Sequence, residues 1–129
     1  MSKKYEETVL LGVTGDRLDH TICNLGIVIK FFNKIKIYIS AENSFLCAYK
    51  KQLTLKSIIG EIISIYAFDK KTFITSKGLK YPLTKSNLAF GEKESTSNVS
   101  ISDRVKLKID GGIIFVIRDF NFMKKHDLI

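Results

Sequence analysis

Val105-Lys-Leu-Lys-Ile-Asp-Gly-Gly-Ile-Ile-Phe-Val-Ile117 holds two apolar, β-branched runs, Val105 to Ile109 and Ile113 to Ile117, on either side of Asp110-Gly111-Gly112. Glycine accepts the positive φ that tight turns require, so the stretch predicts two strands closing as an antiparallel hairpin. Similar short runs recur upstream at Phe45 to Tyr49, Ile62 to Phe68, Phe73 to Thr75 and Val99 to Ile101, with turn-forming residues between them. Many short strands broken by frequent turns argue for an antiparallel β-sandwich, jelly-roll-like, over residues 44–120. The fold class expected is therefore mainly β.

Ahead of the polar, turn-forming Ala41-Glu-Asn-Ser44 the pattern is different. Thr8 to Leu11 reads as a buried strand. Leu18, Ile22, Leu25, Ile29 and Phe32 recur at spacings of three and four, which predicts a helix with that stripe turned inward. Lys34-Ile-Lys-Ile-Tyr-Ile-Ser40 then alternates as a strand does. Residues 1–43 thus read as a β-α-β remnant of an α/β domain. A single unit of this kind cannot cover both faces of a parallel sheet, so either a partner chain or further units are expected to complete it. After Asp119 no pattern is visible, and residues 121–129 are expected to form a loose tail.

At 129 residues the chain is one ordinary domain, or a small domain with part of another. Its apolar fraction of 45% and charged fraction of 26% are those of a globular protein. No apolar run is long enough to span a membrane, and the first residues lack the apolar core of a signal peptide. A cytoplasmic protein without a membrane partner is expected. Cys23 and Cys47 share no metal-ligand spacing and read as buried free thiols. The net charge of +8 favours phosphate-bearing partners, but the lysines are spread along the whole chain rather than clustered, which argues against nucleic acid. A phosphate-bearing small molecule benefits from the same field.

Chemistry is concentrated first in Gly12-Val-Thr-Gly-Asp-Arg-Leu-Asp-His-Thr-Ile-Cys-Asn-Leu25, a strand end, a glycine loop and a helix start. Gly12, Thr14 and Gly15 are candidates for binding phosphate on the backbone amides at the helix start. Asp16 and Asp19 either cap those amides or belong to a site. Arg17 suits a bidentate clamp on phosphate oxygens, or a salt bridge to a neighbouring carboxylate. His20 has the pKa range of a general base, though a histidine one turn into a helix also serves structure; Asn24 lies on the same helical side.

This stretch resembles the G-x-x-G-x-R-x-D-H-x-x-x-N-L signature of the thiamine pyrophosphokinases. Gly78-Leu-Lys-Tyr-Pro-Leu83 and Ser95-Thr-Ser-Asn98, followed by the closing Gly-Gly-Ile-Ile-Phe-Val-Ile segment, continue the resemblance in the family's order. It runs from about Tyr5 to Asp119 and covers the later part of such an enzyme. The resemblance implies transfer of a pyrophosphoryl group from ATP to the hydroxyl of thiamine, giving thiamine diphosphate and AMP with the help of Mg²⁺. It implies a homodimer whose thiamine pocket lies between the α/β domain of one subunit and the β domain of the other.

On this resemblance Asp19 and Arg17 serve the diphosphate and metal side as catalytic residues. Ser97 and Asn98 meet the aminopyrimidine of thiamine, for which an asparagine amide supplies a donor and an acceptor in one plane. Tyr81, Phe115, His20 and Asn24 are the remaining substrate-binding candidates. Phe115 either stacks on the pyrimidine or packs in the core. Val99 stands where the family often has an acidic residue. The aspartate-rich motifs that hold Mg²⁺ and nucleotide in such enzymes are absent from these residues, so little or no turnover is expected from the chain alone, and no metal ligand is assigned. The alternative is a non-catalytic module that binds a small ligand or dimerises.

Overall fold

The computed structural model describes residues 7–11, 18–91 and 95–129. In chain order these form β1 (Glu7–Leu11), α1 (Leu18–Lys30), β2 (Lys36–Ala41), β3 (Ser44–Tyr49), β4 (Gln52–Lys56) and β5 (Ile62–Ala67). There follow β6 (Phe73–Lys77), β7 (Ser86–Asn87), β8 (Ser95–Val99), β9 (Arg104–Asp110), β10 (Ile114–Asp119) and α2 (Phe120–Lys125). A six-stranded sheet runs β1-β2-β3-β10-β5-β8 and a four-stranded sheet β4-β9-β6-β7. Among the described strands every pairing is antiparallel except β1 with β2, the pair bridged by α1. The protein is mainly β, as its sequence predicts, and the β-α-β unit is the one parallel element. The sheet continues through β2 and β3 across the expected boundary at 43/44.

Alternation along each strand builds two cores. In β9, Val105, Leu107 and Ile109 are buried while the lysines between them face solvent. They join Ile63, Ile65, Ala67, Ile74, Leu88, Ile114 and Val116 in the layer between the sheets. The opposite face of the six-stranded sheet carries Ile37, Ile39, Leu46, Ala48 and Phe115, which pack with Val28 of α1. Both are ordinary sandwich chemistry, with inward residues at every second position.

Five expectations are corrected. First, Asp110-Gly111-Gly112 does not close a hairpin, because β9 is flanked by β4 and β6 in one sheet and β10 by β3 and β5 in the other. Neither strand has a free edge for its neighbour, and the glycines instead carry the chain from one sheet to the other. Gly111 sits at φ +109, where a Cβ would strike the Lys71 carbonyl, and Gly112 lies against Asp69 and Thr72. The close approach, rather than a tight hairpin, requires glycine here.

Second, the stripe expected to face inward from α1 does so only in part: Leu25 and Phe32 pack with Val28, Ile27 and Phe31, whereas Leu18, Ile22 and Ile29 are exposed. The helix is apolar on more than one side, so periodicity alone did not choose the buried one. Third, residues after Asp119 are not a loose tail. Asp119 caps α2 by accepting from the Phe122 amide at 2.8 Å, Met123 is buried, and Phe120 donates its amide to the Asn43 carbonyl at 2.7 Å. Fourth, the strand expected at Val99 to Ile101 lies earlier, on Ser95–Val99. Fifth, of the two cysteines expected to be buried, Cys23 is exposed and Cys47 is buried.

Candidate functional site

The motif segments Gly78–Leu83 and Ser95–Asn98 meet at one end of the sandwich. Gly78, at φ +97, has no room for a Cβ, which would lie 2.5 Å from the Arg104 carbonyl oxygen. Its own carbonyl accepts from the Ile101 amide, and Lys80 donates to the Val99 carbonyl at 2.8 Å. Leu79 and Leu83 are buried on the sandwich core, which leaves Tyr81 outward and well exposed beside Pro82. Lys80 lies over the Tyr81 ring at 5.5 Å.

Asn98 ties the two segments together. It is 2% exposed, and its amide nitrogen donates to the Tyr81 carbonyl at 2.7 Å and to Ser95 Oγ at 3.0 Å. Its oxygen accepts from the Tyr81 amide at 3.1 Å and the Val99 amide at 2.9 Å. Both ends of the side chain are thus used within the protein. Ser97 is exposed, at φ +55, and donates its backbone N–H to Ser64 Oγ at 2.9 Å. The pairing of β5 with β8 shifts register between Ile63 and Ile65, a bulge that swings Ser97 outward.

Phe115 is buried in the core under α1 and makes a T-shaped contact with Phe68, ring centroids 5.1 Å apart. Asp19 and His20 are exposed in the first turn of α1 and Asn24 is half-buried. Gly12, Thr14, Gly15, Asp16 and Arg17 lie outside the described residues. The strand β2, against which α1 packs, and β8 are four strand spacings apart in the sheet. At ~4.8 Å per spacing that is on the order of 20 Å. One chain therefore brings Tyr81, Ser97 and Asn98 together and holds Asp19, His20 and Asn24 apart from them.

Two features were not read from the sequence. Arg118, nine-tenths buried, makes a bidentate pair with the fully buried Glu61, Nε to Oε2 and the second terminal nitrogen to Oε1, both at 2.7 Å. Arg118 also donates to the Lys56 carbonyl, and Ser57 Oγ donates to Glu61 Oε1 at 2.6 Å, so every polar atom there is satisfied. The second is a stack of Phe68 on Phe90, with ring centroids 5.2 Å apart. An arginine closing an apolar strand and a phenylalanine inside a polar loop were the only hints.

Three cavity-lining groups of the inner face are electrostatically shifted. Burial pushes the Tyr49 phenol well above its ordinary value, helped by Cys47 beside it, and burial likewise raises the Cys47 thiol. Burial raises Tyr38 as well, against the pull of Lys36. With Glu7, Val9, Phe45, Val116, Arg118, Met123 and Leu128 they line a cavity of about 390 Å³ under α2. Raised values keep these groups neutral, which suits a hydrophobic lining rather than a nucleophile.

Residues 50–114, half of the chain, match the profile described as thiamin pyrophosphokinase, vitamin B1 binding domain. The chain belongs to the thiamin pyrophosphokinase family. Thiamin pyrophosphokinase 1 of Caenorhabditis elegans is 31% identical over 134 residues, a match that takes in 98% of this chain and 54% of that protein. The crystal structure of thiamine pyrophosphokinase from Bacillus subtilis superposes with a TM-score of 0.80 at 25% identity, over 90% of this chain and 56% of that one. The enzyme from Geobacillus thermodenitrificans gives 0.77 at 26% identity, over 91% and 55%. The chain thus spans little more than half the length of these relatives.

Proposed function

We propose that this chain is the thiamine-binding part of a thiamine pyrophosphokinase, a transferase that moves a pyrophosphoryl group from ATP to the thiamine hydroxyl and yields thiamine diphosphate and AMP. The observation that carries the reading is the match of the vitamin B1 binding profile to residues 50–114, which contain both the Gly78–Leu83 and Ser95–Asn98 segments that meet in the structure. In this reading Asn98 shapes the pocket wall by fixing Tyr81, while Ser97 presents its exposed hydroxyl to the aminopyrimidine. Tyr81 offers a ring and a phenol at the same end.

The phosphate side belongs to the start of α1, with Asp19 and Arg17 acting on the diphosphate and His20 and Asn24 near the hydroxyl to be transferred to. Such a transfer needs charge neutralised on the phosphoryl oxygens and the acceptor aimed in line, which cationic groups and Mg²⁺ provide. Among the described residues no three His, Cys, Asp or Glu side chains stand together as a metal site, and Asp19 is the one acid of the α1 first turn. That donor set does not hold Mg²⁺ by itself, and the chain is expected to turn over little on its own.

The separation of Asp19 from Ser97 within one chain supports a homodimer in which each vitamin pocket is completed by the other subunit. The exposed Leu18, Ile22 and Ile29 of α1 fit a helix that is covered in such a larger assembly. Division into an α/β portion at 1–43 and a thiamine-binding sandwich at 44–120 belongs to the same proposal, as does a cytoplasmic location; no helix among the described residues is long and apolar enough to cross a membrane.

Calorimetric titration of the chain with thiamine tests the reading. Saturable binding that weakens in Asn98→Ala is expected. Absence of binding, or binding indifferent to Asn98→Ala, contradicts it.

A further inference from the structure

The outward side of the four-stranded sheet is a cationic array. Strand alternation turns Val105, Leu107 and Ile109 of β9 inward and leaves Arg104, Lys106 and Lys108 exposed on the other side. Register places Lys56 of β4 directly opposite Arg104, and Lys106 lies between Thr54 of β4 and Lys77 of β6. Lys108 lies between Gln52 and Thr75. Asp110 is the one acid at these outward positions, at the far end beside Phe73. Among the described residues none of the five cations enters an ion pair. The sequence spreads them over three segments, and only the sheet gathers them into one face.

Like charges directly opposite on neighbouring strands destabilise a sheet, and here two such pairs stand in adjacent rows, Lys56 with Arg104 and Lys106 with Lys77. From Arg104 to Asp110 the face runs three two-residue steps, roughly 20 Å, across strand spacings of ~4.8 Å. That is broader than one small anion engages, and it matches a surface of repeated negative groups. A second copy docked face to face would set cation against cation. A nucleic-acid strand asks for rings on which bases stack, and between Arg104 and Lys108 the rows hold only Thr54, Gln52 and Thr75 beside the cations. Four of the five cations are lysines, compact point charges without the planar fork that grips a single phosphate. Apolar side chains stand at the margins instead. The loops that leave Lys56 and enter Arg104 are joined by the Gly60 amide, which donates to the Ser100 carbonyl at 2.9 Å, and they carry Ile59, 71% exposed, and Ile101, 54% exposed. The exposed Phe73 marks the other end. Lysines spread over a broad face, with apolar side chains at its rim, suit an anionic bilayer surface.

We propose that the outward face of β4, β9 and β6, with Lys56, Lys77, Arg104, Lys106 and Lys108, docks the protein reversibly on anionic phospholipid headgroups, and that Ile59 and Ile101 enter the interface at its rim. The attachment is peripheral and electrostatic, so it departs from the expectation of no membrane partner without calling for a membrane-spanning segment. Ser97 lies on β8, in the other sheet, and docking leaves it uncovered.

Sedimentation of the full chain with lipid vesicles tests this, with phosphatidylcholine alone and with phosphatidylserine mixed in, at ~0.1 M and ~0.5 M salt. Binding to the phosphatidylserine vesicles at the lower salt, lost at the higher salt and absent from phosphatidylcholine, is expected. Lys106→Gln with Lys108→Gln weakens it on the order of twentyfold, whereas Lys124→Gln with Lys125→Gln on α2, an equal change in net charge, leaves it within about twofold. Ile59→Ser with Ile101→Ser weakens it severalfold and keeps the salt dependence. All six side chains except Lys106 and Lys108 lie off the face, all are on the surface, and melting of each variant is expected to match the parent. No vesicle binding, or equal weakening by the two lysine pairs, overturns the proposal. A mixed-sequence RNA or an acidic peptide that binds this face more tightly than the vesicles at the same salt overturns it too. Unchanged binding in the isoleucine variant overturns the part given to Ile59 and Ile101.

Discussion

Asn98 and Phe90 lie close in sequence and opposite in use. Asn98 sits in a recognisable motif, yet its amide is buried and spends all its hydrogen-bonding capacity on Tyr81, Ser95 and Val99. Phe90 belongs to no motif that the sequence advertised, yet it stands exposed on a built aromatic support. A motif residue can act by shaping a wall, with its own side chain spent inside the protein. The same contrast separates the saturated interior of the sandwich from the open strip on β5 and β8.

The interior should respond most to substitution. Arg118→Met leaves the Glu61 carboxylate buried without its partner, and urea unfolding is expected to show a loss of about 3–5 kcal/mol. A loss below 1 kcal/mol would mean that water reaches Glu61. Next comes Asn98→Ala, which strands the Tyr81 amide and carbonyl. About 1–3 kcal/mol of stability should go, with faster hydrogen exchange at Tyr81; an unchanged rate would show that Tyr81 is held without the amide.

Burial of Tyr49 also ties the interior to pH. Its pKa is raised above the ordinary 10.0, so the folded state holds the proton more tightly than the unfolded chain does. That contribution is fully present below pH ~10 and is lost as pH rises beyond it. Melting temperature should therefore fall above pH ~10, and the Tyr49→Phe variant should fall less steeply. Equal slopes would remove Tyr49 from the account. The smallest stability effect belongs to the open strip, where Phe90→Leu should stay within about 0.5 kcal/mol of the parent; a larger loss would make the aromatic stack part of the core.

Much of this fold was legible because alternation and turn residues are local. The runs at Phe45, Ile62, Phe73 and Val105 are strands, and the β-α-β order at the start stands. Partner choice was not legible. Asp110-Gly111-Gly112 has the composition of a hairpin, but whether two strands pair depends on whether their edges are free, and β4, β6, β3 and β5 occupy them. Ser95 to Asn98 carried no strand signal because a bulged edge strand has no apolar alternation to betray it. The strand at Gln52–Lys56 escaped notice for a like reason, with Leu55 its one fully buried residue. In α1, several apolar sides competed, and the tertiary contact through Val28 decided between them. The helix after Asp119 depends on a cap and on Asn43, contacts that no periodicity announces.

The most direct measurement is a map of backbone amide shifts as thiamine is titrated into the isotope-labelled chain. Changes gathered at Tyr81, Ser97 and Asn98, with the cavity under α2 unmoved, are the predicted result. Changes centred on Tyr38, Cys47 and Met123 instead would place the vitamin in that cavity and contradict the account.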